Sequence, residues 1–247
     1  GPDLALPPRS WSWRIPPGAT RRAGGGYPSE YPDDRDLLPG QRSQVVPALA
    51  DGAVYVHNDV GLWSFDVVAT TPKILWKYEP SHSPSVILPE DRVLHTVTIH
   101  DGIVYANLVC TVENQKQQLD FLIVQEPIPR RALIAFSART GKLLWTIGGQ
   151  KDARDPKLRA RFQAAPAAER GRLYVGASFQ KERPTDPVEQ HIFCLDAKTG
   201  GVIWSRYVAE GYLEMNLFNN PTREIVGSSV TIDADTVYYC TNFGIIA

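Results

Sequence analysis

The sequence predicts an all-β fold, a β-propeller of four-stranded antiparallel blades, about three and a half of which lie in the 247 residues. One phrase is written twice: ALIAFSARTGKLLWTI at 132–147 and HIFCLDAKTGGVIWSR at 191–206. A second phrase occurs four times, as DGAVYVHN at 51, DGIVYANL at 101, RGRLYVGA at 170 and DADTVYYCT at 233. Its tyrosines, Tyr55, Tyr105, Tyr174 and Tyr238, stand 50, 69 and 64 residues apart. Self-similarity at such a period signals a repeat architecture, and no run keeps helical periodicity beyond two turns.

Each unit opens on a candidate inner strand: SQVVPAL at 43, VLHTVTI at 93, FQAAPAA at 162 and VGSSVTI at 226. The tyrosine strand comes second. Third stand GLWSFD at 61, ALIAFS at 132, HIFCLD at 191 and GIIA at 244. A fourth follows in three units, as KILWKY at 73, KLLWTI at 142 and GVIWSR at 201. Short runs rich in Val, Ile, Tyr and Trp between turn signals read as strands. Four such strands per unit, in tandem, are the blades of a propeller. The blades are expected at about 43–80, 92–149, 162–208 and 226–247, the last incomplete.

Turn chemistry supports this order. The Asp-Gly pairs suit two-residue hairpins between first and second strands, because both central residues need positive φ. In ARTGK and AKTGG, Gly141 and Gly200 take the left-handed position between third and fourth strands. Trp76, Trp145 and Trp204 then fall on the outermost strands of successive blades, each placed to dock on the next blade. Burying one indole removes roughly 150–250 Å² from water. That is about 4–6 kcal/mol gross per blade, and truncation to alanine would cost about 3–5 kcal/mol.

These phrases resemble the tryptophan-docking repeat of the bacterial pyrroloquinoline-quinone-type propellers, A-x-D-x-x-T-G-x-x-x-W. Asp196, Thr199, Gly200 and Trp204 fit it. In the preceding blade Thr140, Gly141 and Trp145 fit, with Ser137 in place of Asp. In the first blade Asp66 and Trp76 fit, while VVATTPK replaces the Thr-Gly turn. The resemblance covers residues 43–247 and speaks to architecture more than to activity.

Residues 1–42 are rich in Pro, Gly and charge, the composition of an arm or linker. SWSWRI at 10 resembles the outer strand VIWSRY at 202, so residues 10–15 either complete a blade or belong to a disordered arm. The final unit stops inside its third strand, at NFGIIA. A propeller needs four or more blades to close. The expectation is therefore an incomplete propeller, whose first partner is the rest of the ring, in this polypeptide or another.

Composition sets limits on partners. A formal net charge of −1 gives no field for nucleic acid or an anionic membrane. No apolar run reaches the roughly 20 residues of a membrane span. Cys110, Cys194 and Cys240 are odd in number and far apart, so they read as small buried hydrophobes and leave the redox compartment open. An extracytoplasmic or periplasmic location is what the resemblance implies.

Antiparallel order places the short turns on one face of the disc. The other face carries the insertions at about 111–130, 146–161, 177–190 and 205–225. Function is expected there, because insertions of repeat proteins commonly build the binding face. The stretch EGYLEMNLFNNPTREIVG precedes an inner strand, so Glu214, Asn216, Asn219, Asn220 and Arg223 are placed at the channel mouth. They could bind a polar ligand or a hard cation, or simply cap a turn before Pro221.

In the quinone-dependent dehydrogenases that carry this repeat, the resemblance implies a vicinal Cys-Cys pair, a calcium site of Glu, Asn and Asp, and an aspartate base. This chain has no Cys-Cys, and Asn219-Asn220 has no Asp in the motif's setting. No catalytic residue, cofactor or metal site transfers residue by residue. The reading is a noncatalytic scaffold or ligand-binding module that takes a protein or small polar ligand on its loop-rich face. The alternative is part of a quinone-dependent dehydrogenase, with quinone and calcium.

Overall fold

The computed structural model describes residues 44–58, 61–68, 71, 73–79, 94–119, 122–150, 154–180, 186–211, 228–241 and 244–246. The first blade has β1 (Gln44–Val45), β2 (Ala48–Ala50), β3 (Ala53–Asn58), β4 (Gly61–Asp66) and β5 (Lys73–Tyr78), with β2 to β5 as one sheet. The second has β6 (Leu94–His95), β7 (Thr98–His100), β8 (Ile103–Leu119), β9 (Leu122–Ser137) and β10 (Leu143–Gly148), with β7 to β10 as one sheet. A short 3-10 helix, Pro156–Arg159, precedes the third. Its sheet joins β11 (Arg161–Phe162), β12 (Ala167–Glu169), β13 (Arg172–Gln180), β14 (Val188–Asp196) and β15 (Val202–Gly211). The last sheet holds β16 (Thr231–Asp233), β17 (Thr236–Thr241) and β18 (Gly244–Ile246). Pairing within every blade is antiparallel, as in a β-propeller.

The inner strands differ from the expectation of one continuous strand per blade. In the first three blades each breaks in two: at Val46-Pro47, at Thr96-Val97, and between Phe162 and Ala167, where Pro166 stands. Proline has no N–H for the ladder, which accounts for two of the three breaks. The first segments do separate work. β1 pairs in parallel with β6 of the next blade, Gln44 opposite Leu94 and Val45 opposite His95. Inner strands of consecutive blades run the same way, so they can meet edge to edge where blades converge.

The hairpins follow their turn residues. Asp51 and Gly52 have φ of 48° and 74°, and Asp101-Gly102 and Arg170-Gly171 repeat the pair. Both central residues at positive φ give a turn whose twist matches that of the strands.

The core lies between blades rather than inside any one sheet. Tyr55, Leu62 and Trp76 of the first blade pack with Val104, Leu108, Ile134 and Phe136 of the second. Leu133 and Ile147 of the second pack with Phe162, Leu173, Val175 and Phe193 of the third. Ile192 of the third meets Val230 and Tyr239 of the fourth. A strand alternates its side chains between faces, so each blade gives one set to each neighbour.

Every outermost strand bulges just before its tryptophan. The register skips Leu75 between Ile74 and Trp76, Leu144 between Leu143 and Trp145, and Ile203 between Val202 and Trp204. The three skipped residues are exposed, at 46%, 43% and 50%. A bulge twists the strand, re-aims the next side chain and makes the outer edge a poor template for pairing.

Gly52 and Gly141 separate the two demands on a turn glycine. A Cβ on Gly52 meets nothing within 4 Å, whereas one on Gly141 would lie 2.6 Å from Trp76 Cδ2; both residues have positive φ. Gly52→Ala should cost about 1 kcal/mol from backbone strain alone, and Gly141→Ala about 3 kcal/mol, because it also pushes the indole off its seat. Urea unfolding of the two variants measures the difference; equal losses would deny the indole contact.

Candidate functional site

On the short-turn side, neighbouring blades are joined by one repeated arrangement. Trp76 Nε1 donates to Ala138 O at 2.7 Å, and Tyr55 Oη donates to the same carbonyl at 3.3 Å. One blade on, Trp145 Nε1 and Tyr105 Oη donate to Ala197 O at 3.2 and 3.0 Å. Donors from one blade thus share a single carbonyl in the next. That carbonyl is held by its own blade, since Ala138 N donates to Gly102 O and Ala197 N to Gly171 O. Gly141 and Gly200 leave the ring its seat: a Cβ on Gly200 would stand 2.7 Å from Trp145 Cδ2. Trp204 keeps the same distance from its tyrosine, 6.0 Å from Tyr174 against 5.9 and 5.8 Å in the other two pairs.

Burial leaves its mark on these tyrosines. It raises the hydroxyls of Tyr55 and Tyr239, and pushes Tyr105 up to about 12, because a phenolate would lose its hydration there. Asp196 moves the other way. Its Oδ1 accepts from Thr199 Oγ1 and Thr199 N at 2.8 Å and from Lys198 N at 3.1 Å, and these bonds lower its pKa. In the second blade Ser137 Oγ takes the Asp role, accepting from Thr140 N at 3.4 Å.

Toward the loop-rich side lies a second contact between blades, two residues past the tyrosine. His57 Nε2 donates to Thr96 O at 2.8 Å, and Asn107 Nδ2 donates to Phe162 O. In the third blade this position is Gly176, whose missing Cβ leaves room for the Tyr239 ring. Tyr239 Oη then donates to Gln190 Oε1 at 3.2 Å, and Gln163 Nε2 donates to Ser178 Oγ at 3.1 Å. These polar side chains are buried, and Asn107 Oδ1 has no hydrogen-bond partner.

β13, β14 and β15 run past this seam and raise an aromatic group. His191 stands edge-on to Phe179 (4.8 Å) and to Tyr207 (5.7 Å), and its Nε2 donates to Glu189 Oε2 at 3.1 Å. Tyr207 is 56% exposed, so the group is open to solvent on one side. Such a surface suits stacking and hydrogen bonding to a partner. Among the described residues no group of three or more His, Cys, Asp or Glu could hold a metal ion. Cys110, Cys194 and Cys240 are free thiols, and burial raises the first two.

Of the residues singled out in the sequence, Trp76, Trp145, Gly141 and Gly200 come together across blades. Glu214, Asn216, Asn219, Asn220 and Arg223 lie outside the described residues, as does the 10–15 segment. Sequence reasoning missed the Ala138 and Ala197 carbonyls, although alanine stands at the same place in both copies of the phrase. It also missed the His57 and Asn107 contacts, whose residue type changes from blade to blade.

The model of a family described as outer membrane protein assembly factor BamB matches residues 122–244. This match, over just under half of the chain, supports repeats of the PQQ-like β-propeller type. A 165-residue stretch is 27% identical to the lanthanide-dependent methanol dehydrogenase of Methylorubrum extorquens, covering 65% of this chain and 23% of that protein. The quinohemoprotein alcohol dehydrogenase of Comamonas testosteroni aligns over 66% of this chain and 20% of its own, at 20% identity and a TM-score of 0.41. The N-terminal domain of Nup159 aligns at 9% identity and a TM-score of 0.26, over 83% of this chain and 62% of that one. The chain therefore spans about a quarter or less of the two dehydrogenases. No helix among the described residues is long and apolar enough to cross a membrane.

The Asp196 turn predicts an acid response. A carboxyl held below its ordinary value of 3.8 stabilises the fold fully above that pH, and the contribution is lost as pH falls through the lower folded value. Asp196→Asn should therefore lose less stability than the unsubstituted protein between about pH 4 and 2. Urea midpoints at both pH values measure this, and parallel losses would count against the turn's role.

Proposed function

We propose that this chain is a noncatalytic propeller scaffold that binds a protein partner, or a small polar ligand, through its loop-rich face. The observation that carries the reading is the contrast between the two sides. The short-turn side spends its repeated residues on joining blades. The loop side lengthens its strands and presents Phe179, His191 and Tyr207 around the Glu189 carboxylate. Exposed aromatic groups beside polar ones are typical of interaction surfaces. An extracytoplasmic location fits the matched family's description as an outer membrane assembly factor.

The named relatives favour one rival reading, a portion of a quinone-dependent dehydrogenase. A single titration separates the two. The full protein is mixed with pyrroloquinoline quinone and calcium, then with a lanthanide, and its absorption spectrum and artificial-dye reduction are followed. The scaffold reading expects no protein-bound quinone band and no reduction with an alcohol present. A stoichiometric band with turnover would replace it with the dehydrogenase.

A further inference from the structure

The hairpin of the second blade continues far beyond its sheet. After the register skips Cys110, nine further pairs run from Thr111 opposite Arg130 to Leu119 opposite Leu122. At 3.4 Å per residue this ribbon is ~30 Å long. Its would-be neighbours stop early: β7 pairs only with Ile103–Tyr105, and β10 only with residues 132–136 of β9. Among the described residues the ribbon is thus two-stranded with both edges open. Two strands alone are marginal in water, and open edges invite a further strand.

The two edges are not equivalent. Two residues separate Leu119 from Leu122, which makes these the hydrogen-bonded pair that closes the hairpin, and bonded and non-bonded pairs alternate from there. Outward-facing amide positions on β9 are therefore 123, 125, 127 and 129, and two of them are Pro127 and Pro129, which have no N–H. Proline on the outward side of a strand blunts that edge. Outward positions on β8 are Val112, Asn114, Lys116 and Gln118, every one a donor. One edge is closed to pairing and the other is intact.

We propose that the β8 edge of this ribbon pairs antiparallel with the same edge of a second copy of the chain. The edge is complementary to itself. A two-fold axis at Gln115 sets Asn114 opposite Lys116 and Val112 opposite Gln118 of the other copy, so every outward amide meets an outward carbonyl. Glu113 falls opposite Gln117, and no like charges face each other. The product is a four-stranded sheet edged by the two proline-bearing strands, an isologous interface that ends itself. This inference is independent of the scaffold reading.

The full chain should sediment as a dimer. Lys116→Pro removes one donor from each copy and blocks the edge, at a position where the ribbon itself needs no N–H. It should raise the dimer dissociation constant at least tenfold and leave the circular dichroism and thermal midpoint of the blades unchanged. Gln115→Cys reads the register directly. It places two thiols across a non-bonded pair, about 4.5 Å between Cα atoms and within disulfide reach, so it should crosslink on mild oxidation far faster than Gln117→Cys or the parent protein. A monomer at all concentrations, a dimer indifferent to Lys116→Pro, or equal crosslinking at 115 and 117 would each overturn the proposal.

Discussion

A single carbonyl oxygen, shared by an indole N–H and a phenol O–H from the neighbouring blade, is the contact on which this architecture rests. Ala138 O and Ala197 O each take both donors. A carbonyl has two lone pairs, so two donors satisfy it fully without competing. The geometry then dictates the sequence around it. The turn must bring alanine to that place, glycine must leave the ring its seat, and Asp196 or Ser137 must close the turn. Burying an indole between blades supplies the larger part of the energy, while the hydrogen bonds fix where it goes.

The two sides of the disc divide the work. On the short-turn side every feature recurs, because each blade must present the same surface to the next. On the loop side the recurring feature is only a position, two residues past the tyrosine, filled by His57, Asn107 or Gly176 and joined differently each time. Relaxed demand there is what lets β8 and β9 run out as a ribbon and β13 to β15 carry an aromatic group. The PQQ-like repeat accounts for the first side and leaves the second to this chain.

How much of this could be read from residues depends on whether the contact has a fixed chemistry. The tryptophans, the turn glycines and the Asp-Gly hairpins were legible, because few side chains can meet those demands. The four-strand order followed from them. The breaks in the inner strands were harder to read: Pro47 and Pro166 announce two of them, but nothing marks Thr96-Val97. The bulges were invisible, since Leu75, Leu144 and Ile203 are the apolar residues a strand would carry anyway. The insertion at 111–130 holds an apolar run, LDFLIV, that reads as a hairpin extension or a docking edge, and the backbone register of 111–119 against 122–130 shows the extension. The polar residues at 214–223 stand out by composition alone, whereas Phe179, His191 and Tyr207 meet only once three strands are aligned.

The shared-carbonyl account is tested most directly by exchange of the indole protons themselves. In a nitrogen-15 spectrum with the tryptophan side chains assigned, the Nε1 protons of Trp76 and Trp145 should exchange with deuterium only through unfolding, with rates that follow global stability as urea is added. If either indole proton exchanges within seconds, at a rate indifferent to urea while the β-strand amides stay protected, then the rings are not bonded across the blades and another contact must hold them together.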